Sequence, residues 1–112
     1  MFTIYHNPGC SKSRAALRLL QEHGIDPRII LYLETPPSPT ELAGLLDKLA
    51  LQPGALIRRS EPQLANLDVD VLSQEELLQL MATYPILIER PIVIRGEHAI
   101  IGRPPERVLE LL

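Results

Sequence analysis

A chain of 112 residues suffices for one ordinary domain and is too short for two that each bury a proper core. Apolar residues make up 46% and charged residues 22%, the balance of a soluble globular chain and not of a disordered or collagen-like one. The formal charge of -3, from 14 acidic and 11 basic side chains, leaves no basic excess to advertise nucleic acid or an anionic membrane surface.

The first strand is expected at Phe2-Thr3-Ile4-Tyr5, stopped by Asn7-Pro8-Gly9. From Ser11 onward, Ala15, Ala16, Leu17, Leu19 and Leu20 recur at helical spacing. Gly24 stands where a left-handed cap would end that helix. Arg28-Ile29-Ile30-Leu31-Tyr32 reads as a second strand, apolar enough to be a parallel strand covered on both faces. These pieces make a βαβ unit.

Ser38-Pro39-Thr40-Glu41 combines a Ser N-cap, Pro at the first helical position and Glu three residues on, which predicts a helix from Pro39 to about Leu49. Ser60-Glu61-Pro62-Gln63 and Ser73-Gln74-Glu75-Glu76 repeat the start signal, so two or three short helices are expected in the middle of the chain. Ile92-Val93-Ile94 and His98-Ala99-Ile100-Ile101 flank Arg95-Gly96-Glu97 as a hairpin, and Glu106 to Leu112 closes the chain as a helix. The order is that of an α/β thioredoxin-like fold with a mixed sheet: βαβ, a helical insertion at about 38–83, then ββα, all within one domain over 1–112.

The one cysteine in the chain, Cys10, excludes an intramolecular disulfide and metal sites built from paired cysteines. Cys10 lies between a strand and the first turn of a helix, where unpaired N–H groups and the helix dipole favour a thiolate, and Lys12 and Arg14 add positive charge nearby. The competing reading is a small buried hydrophobe. Ser13 occupies the place of a dithiol oxidoreductase's second cysteine, so an external thiol must resolve any mixed disulfide. A tyrosine-phosphatase loop needs Arg six residues after its nucleophile, and that position is Ala16.

His6 either supports the thiolate electrostatically or hydrogen-bonds the turn, or else is a strand-end side chain half in solvent. His23 and His98 have no paired spacing and read as surface residues, so no metal site is expected. Arg58, Arg90 and Arg103 each stand at a break in the pattern, and in a thioredoxin-like sheet two or three of them can converge on an anion beside Cys10. Arg90-Pro91 falls where that fold places a cis peptide bond facing the active thiol. With no apolar run long enough for a signal peptide or a membrane span, a cytoplasmic protein without membrane contact is expected. One Phe, three Tyr and no Trp supply poor stacking platforms, so no nucleic-acid partner is expected either.

Tyr5-His6-Asn7-Pro8-Gly9-Cys10, Tyr32-Leu33-Glu34-Thr35-Pro36-Pro37, Ala55-Leu56-Ile57-Arg58, Pro85-Ile86-Leu87-Ile88-Glu89-Arg90-Pro91-Ile92 and Gly102-Arg103-Pro104 together resemble the glutaredoxin-linked arsenate reductases, in order and through nearly the whole chain. The resemblance implies reduction of arsenate to arsenite at the expense of glutathione, as co-substrate, and glutaredoxin, with no bound cofactor. Cys10 matches the family's nucleophile, which forms a thiol-arsenate adduct. Arg58, Arg90 and Arg103 match the arginines that hold the oxyanion, and His6 matches the histidine that favours the thiolate. Ser11-Lys12 departs from the Gly-Thr of the plasmid-borne reductases, and the chain ends at Leu112 short of their basic C-terminal tail. Two other functions share much of this pattern: a glutathione-dependent monothiol oxidoreductase acting on protein mixed disulfides, and a Spx-like regulator that binds RNA polymerase.

Overall fold

A computed structural model describes all of residues 1–112. The chain divides into two compact units, one formed by Met1–Thr35 with Arg90–Leu112 and the other by Pro36–Glu89. No helix is long and apolar enough to cross a membrane.

The first unit is built on a four-stranded mixed sheet in the order β2-β1-β3-β4. Its strands are β1 (Phe2–Tyr5), β2 (Arg28–Ile30), β3 (Ile92–Arg95) and β4 (His98–Ile101). β1 runs parallel to β2 and antiparallel to β3, and β3 and β4 form the hairpin, turned at Gly96 with φ of +61°. Helix α1 (Ser11–Glu22) makes the crossover from β1 to β2 and ends at Gly24, whose φ of +77° is strained for a residue with a Cβ.

The register places Ile4 opposite Val93 and Val93 opposite Ile100. These three side chains therefore share one face of the sheet, where they bury against Ala16 and Leu20 of α1 and Val108 of the C-terminal segment. Removing each large aliphatic side chain of this cluster from water contributes about 1.5–3 kcal/mol, before conformational entropy is counted. Gly102 is fixed by close approach: a Cβ there would stand 2.9 Å from Pro91 Cγ and 3.0 Å from Val108 Cγ1.

Two expectations for this unit need correction. The second strand is three residues long, not five, and lies at the sheet edge, so Ile29 is 46% exposed instead of covered on both faces. β2 pairs with β1 alone, and the chain leaves the sheet in a turn that buries Tyr32 beyond the strand's end. The closing helix is of the 3-10 type and spans Pro105–Leu111. Its end closes with a bond from Leu112 N–H to the Leu109 carbonyl, the tighter spacing common in short helices entered through prolines.

The second unit holds α2 (Pro39–Leu49), α3 (Pro53–Leu56) and α4 (Gln74–Thr83). α2 and α4 both begin with a complete capping box, from Ser38 with Glu41 and from Ser73 with Glu76. Leu42, Leu45, Leu46, Leu56, Leu77 and Met81 are buried here. The start signal at Ser60 yields only one 3-10 turn, Pro62–Leu64, with no side-chain cap. The apolar spacing lapses after Leu64, and Glu61 turns to Arg58 instead of back to its own backbone. An antiparallel bridge joins Ile57 to Ile88, flanked by bonds from Arg58 N–H to the Leu87 carbonyl and from Glu89 N–H to the Leu56 carbonyl.

Candidate active site

The turn from β1 into α1 is held by its own short-range bonds. Asn7 supplies two acceptors: its carbonyl takes the Cys10 N–H at 3.0 Å and its side-chain oxygen the Gly9 N–H at 2.9 Å. Arg14, one turn into α1, reaches back and donates to the Pro8 carbonyl at 2.7 Å. Cys10 is the N-cap residue of α1, in extended conformation, and its carbonyl accepts from Arg14 N–H to open the helix. The thiol thus stands at the positive end of the helix dipole, part-exposed.

Below the turn lies a buried polar group that the cysteine spacing alone does not reveal. Ser13 is fully buried, on the same face of α1 as Ala16 and Leu20. Its hydroxyl is 2.6 Å from His6 Nδ1 and accepts the Asn7 N–H at 3.0 Å. His6 is buried as well. Burial, and then the charge of Arg14, hold its imidazole below the ordinary range, so at neutral pH it is uncharged. His6 therefore ties the end of β1 to α1, and the half-solvated side chain of the alternative reading does not occur. The signal available in the sequence was a lone serine at an apolar position of an amphipathic helix.

Two of the three singled-out arginines come to the thiol. Arg103 Nη2 lies 4.0 Å from Cys10 Sγ, while its Nε donates to the Arg90 carbonyl at 2.7 Å and so fixes the guanidinium. Arg90 directs its side chain at the same sulfur. Arg90-Pro91 and Arg103-Pro104 are both cis. Burial on its own raises the Cys10 thiol, but hydrogen bonds from Ser13 N–H, the Arg90 guanidinium and Lys12 N–H, together with the Arg90 charge, outweigh it and bring the pKa below the usual thiol value. Lys12 contributes through its backbone, and Arg14 is spent on the turn.

Arg58 belongs to the other compact unit. Its Nε donates to Glu61 Oε1 at 3.2 Å, and its Nη1 is buried without a hydrogen-bond partner. No group of three or more His, Cys, Asp or Glu side chains is placed to hold a metal ion. His23 caps its own helix, with Nδ1 2.8 Å from the Leu19 carbonyl oxygen, and His98 is exposed on β4 opposite Arg95.

Comparison with known proteins places this geometry among relatives. The chain is 49% identical over 112 residues to a protein of Haemophilus influenzae named arsenate reductase, covering 97% of each. It is 47% identical to YfgD of Escherichia coli K12, a protein named as uncharacterized, over 97% of this chain and 94% of that one. Among solved structures, the arsenate reductase from Vibrio cholerae superposes with a TM-score of 0.95 at 48% identity, covering 99% of this chain and 97% of that one. The profile of the ArsC family matches residues 5–111, from the last residue of β1 to the last residue of the closing 3-10 helix, and with relatives near half-identical from end to end it follows that the chain belongs to the ArsC family.

Proposed function

We propose that this chain is an arsenate reductase in which the Cys10 thiolate attacks arsenic, with glutathione and glutaredoxin supplying reducing equivalents in the cytoplasm. The observation that carries this reading is the pair of guanidiniums, from Arg90 and Arg103, directed at a thiol of lowered pKa on a helix N-terminus. A doubly charged oxyanion approaching a thiolate is repelled. Fixed guanidiniums aimed at its oxygens offset that repulsion without reorganising, most effectively where water is scarce. Arg58 is assigned to the oxyanion by its matched motif alone. His6 acts as a positioning residue, through Ser13 and the turn.

Cys10 sulfur displaces an arsenate oxygen as water, giving a thiol-arsenate adduct. Glutathione thiol then supplies the second sulfur, a Cys10–glutathione disulfide forms, As(V) takes two electrons, and arsenite leaves. Glutaredoxin takes the glutathionyl group and restores the thiol. A chain with one cysteine cannot complete this reduction alone, which is why an outside thiol is required. NADPH oxidation coupled through glutathione reductase, glutathione and glutaredoxin tests the proposal. Oxidation by the wild type is expected to depend on arsenate and to vanish in Cys10→Ser; equal rates with and without arsenate would reject it.

A further inference from the structure

Asn7, Pro8, Gly9 and Cys10 form a β-turn, closed by the Cys10 N–H bond to the Asn7 carbonyl at 3.0 Å. Proline followed by glycine at the two central positions is the composition of a type II turn, which needs positive φ at the second of them. Positive φ occurs at Gly24 and Gly96 and not at Gly9. Types I′ and II′ need it at the first central position, where the proline ring forbids it, so the turn is of type I. The composition of the turn thus favours one orientation of the Pro8–Gly9 peptide, and the structure holds the opposite one.

Two side chains account for the difference, because they grip that one peptide at both ends. The Pro8 carbonyl accepts from Arg14 Nη1 at 2.7 Å, and the Gly9 N–H donates to Asn7 Oδ1 at 2.9 Å. Turning the peptide over converts type I into type II, exchanges its two ends and breaks both bonds, leaving Arg14 without its acceptor. Arg14 lies one turn into α1, so its guanidinium ties the start of that helix to the loop that carries the nucleophile.

We infer that Arg14 is a positioning residue that keeps the Asn7–Cys10 turn in its type I state and so holds Cys10 in one place, a role that deepens the reductase reading above and rests on it for the task of Cys10. The groups that favour the thiolate are the Ser13 N–H, the Arg90 guanidinium and the Lys12 N–H, so Arg14 reaches the sulfur only through the turn. Without the lock the turn divides between two states, and the thiol meets those donors for only part of the time.

The test compares Arg14→Ala, Gly9→Ala and the double variant by two readouts. One is the NOE between the Pro8 Hα and Gly9 amide protons, strong in a type II turn and weak in type I; the other is the rate of Cys10 alkylation at pH 7. Alanine resists positive φ, so Gly9→Ala excludes type II without help from Arg14. Its methyl group stands 3.3 Å from Asn7 Oδ1, which a small shift of that side chain relieves. Arg14→Ala is expected to strengthen the NOE and slow alkylation about threefold, the modest effect of one exposed bond. Gly9→Ala alone should change neither readout, and the double variant should return both toward wild type. Asn7→Ala frees the other end of the peptide, should strengthen the same NOE, and serves should Gly9→Ala fail to fold. An unchanged NOE in Arg14→Ala would overturn the inference, as would a double variant no faster than Arg14→Ala, since the arginine would then act by its charge alone. Neither readout uses arsenate: wild type that fails to reduce it sinks the reductase reading, while the NOE and the rescue still decide the role of Arg14.

Discussion

Replacing Ser13 with Ala removes one oxygen and strands two polar groups. The hydroxyl is fully buried and serves His6 Nδ1 at 2.6 Å and Asn7 N–H at 3.0 Å. A buried group left without its partner costs about 1–3 kcal/mol. His6 is itself buried and the Asn7 amide only partly so, which places the loss at about 2–3 kcal/mol. For a chain of this size about 4 °C accompanies each kcal/mol, so the melting temperature should fall by about 8–12 °C. Calorimetry of wild type, Ser13→Ala, His6→Ala and the double variant measures this. The double variant should lose less than the sum of the single losses, since either substitution breaks the same bond. A fall below about 2 °C in Ser13→Ala, or strict additivity, would show that this buried network does not hold the turn.

Three further outcomes follow from the same geometry. Cys10 has a lowered folded-state pKa, so iodoacetamide should alkylate it faster than a free thiol at pH 6–7, and Arg90→Ala should shift the alkylation profile toward higher pH; matching profiles for the two proteins would remove Arg90 from the thiolate's surroundings. The linked stability is fully present above the unfolded thiol's pKa of ~8.5 and is lost as pH falls through the folded value. His6 is depressed by burial and by Arg14, so its unfolded form takes up a proton first as pH drops below ~6.5, and stability falls from there downward; melting temperatures of His6→Ala should decline less between pH 7 and pH 5 than those of wild type, and an equal decline would assign the acid sensitivity elsewhere. Gly102→Ala drives a methyl group against Pro91 and Val108 at 2.9 and 3.0 Å, an overpacking worth about 1–3 kcal/mol. Because Arg103 follows directly, arsenate turnover should fall with stability; unimpaired turnover in a destabilised variant would uncouple the junction from the site.

What the sequence displays well are the elements set by local chemistry. The Ser38 capping box delivers α2 at Pro39–Leu49 as expected, and Gly24 and Gly96 mark a helix end and a hairpin turn because both need positive φ. Strand order is a tertiary matter: an apolar Ile29-Ile30-Leu31 run does not say that its strand has a neighbour on one side only. At the site, Cys10, Arg90 and Arg103 stand out at breaks in the pattern, and the structure brings them together around one sulfur. The spacing of Ser13 marks only the place of a missing cysteine, whereas its importance comes from burial against His6, a tertiary contact. In the sequence Glu61 reads as part of a helix-start signal, and spacing does not show that it pairs with Arg58 three residues earlier instead of capping.

The central claim is that Cys10 sulfur carries arsenic and then receives glutathione. A single-turnover reaction with arsenate and glutathione, run without glutaredoxin, tests it directly by quantifying arsenite and weighing the intact protein. One arsenite per chain, released together with one glutathione in disulfide linkage at Cys10 and absent from Cys10→Ser, is the predicted result. No arsenite, with Cys10 recovered as an unmodified thiol, would contradict the claim.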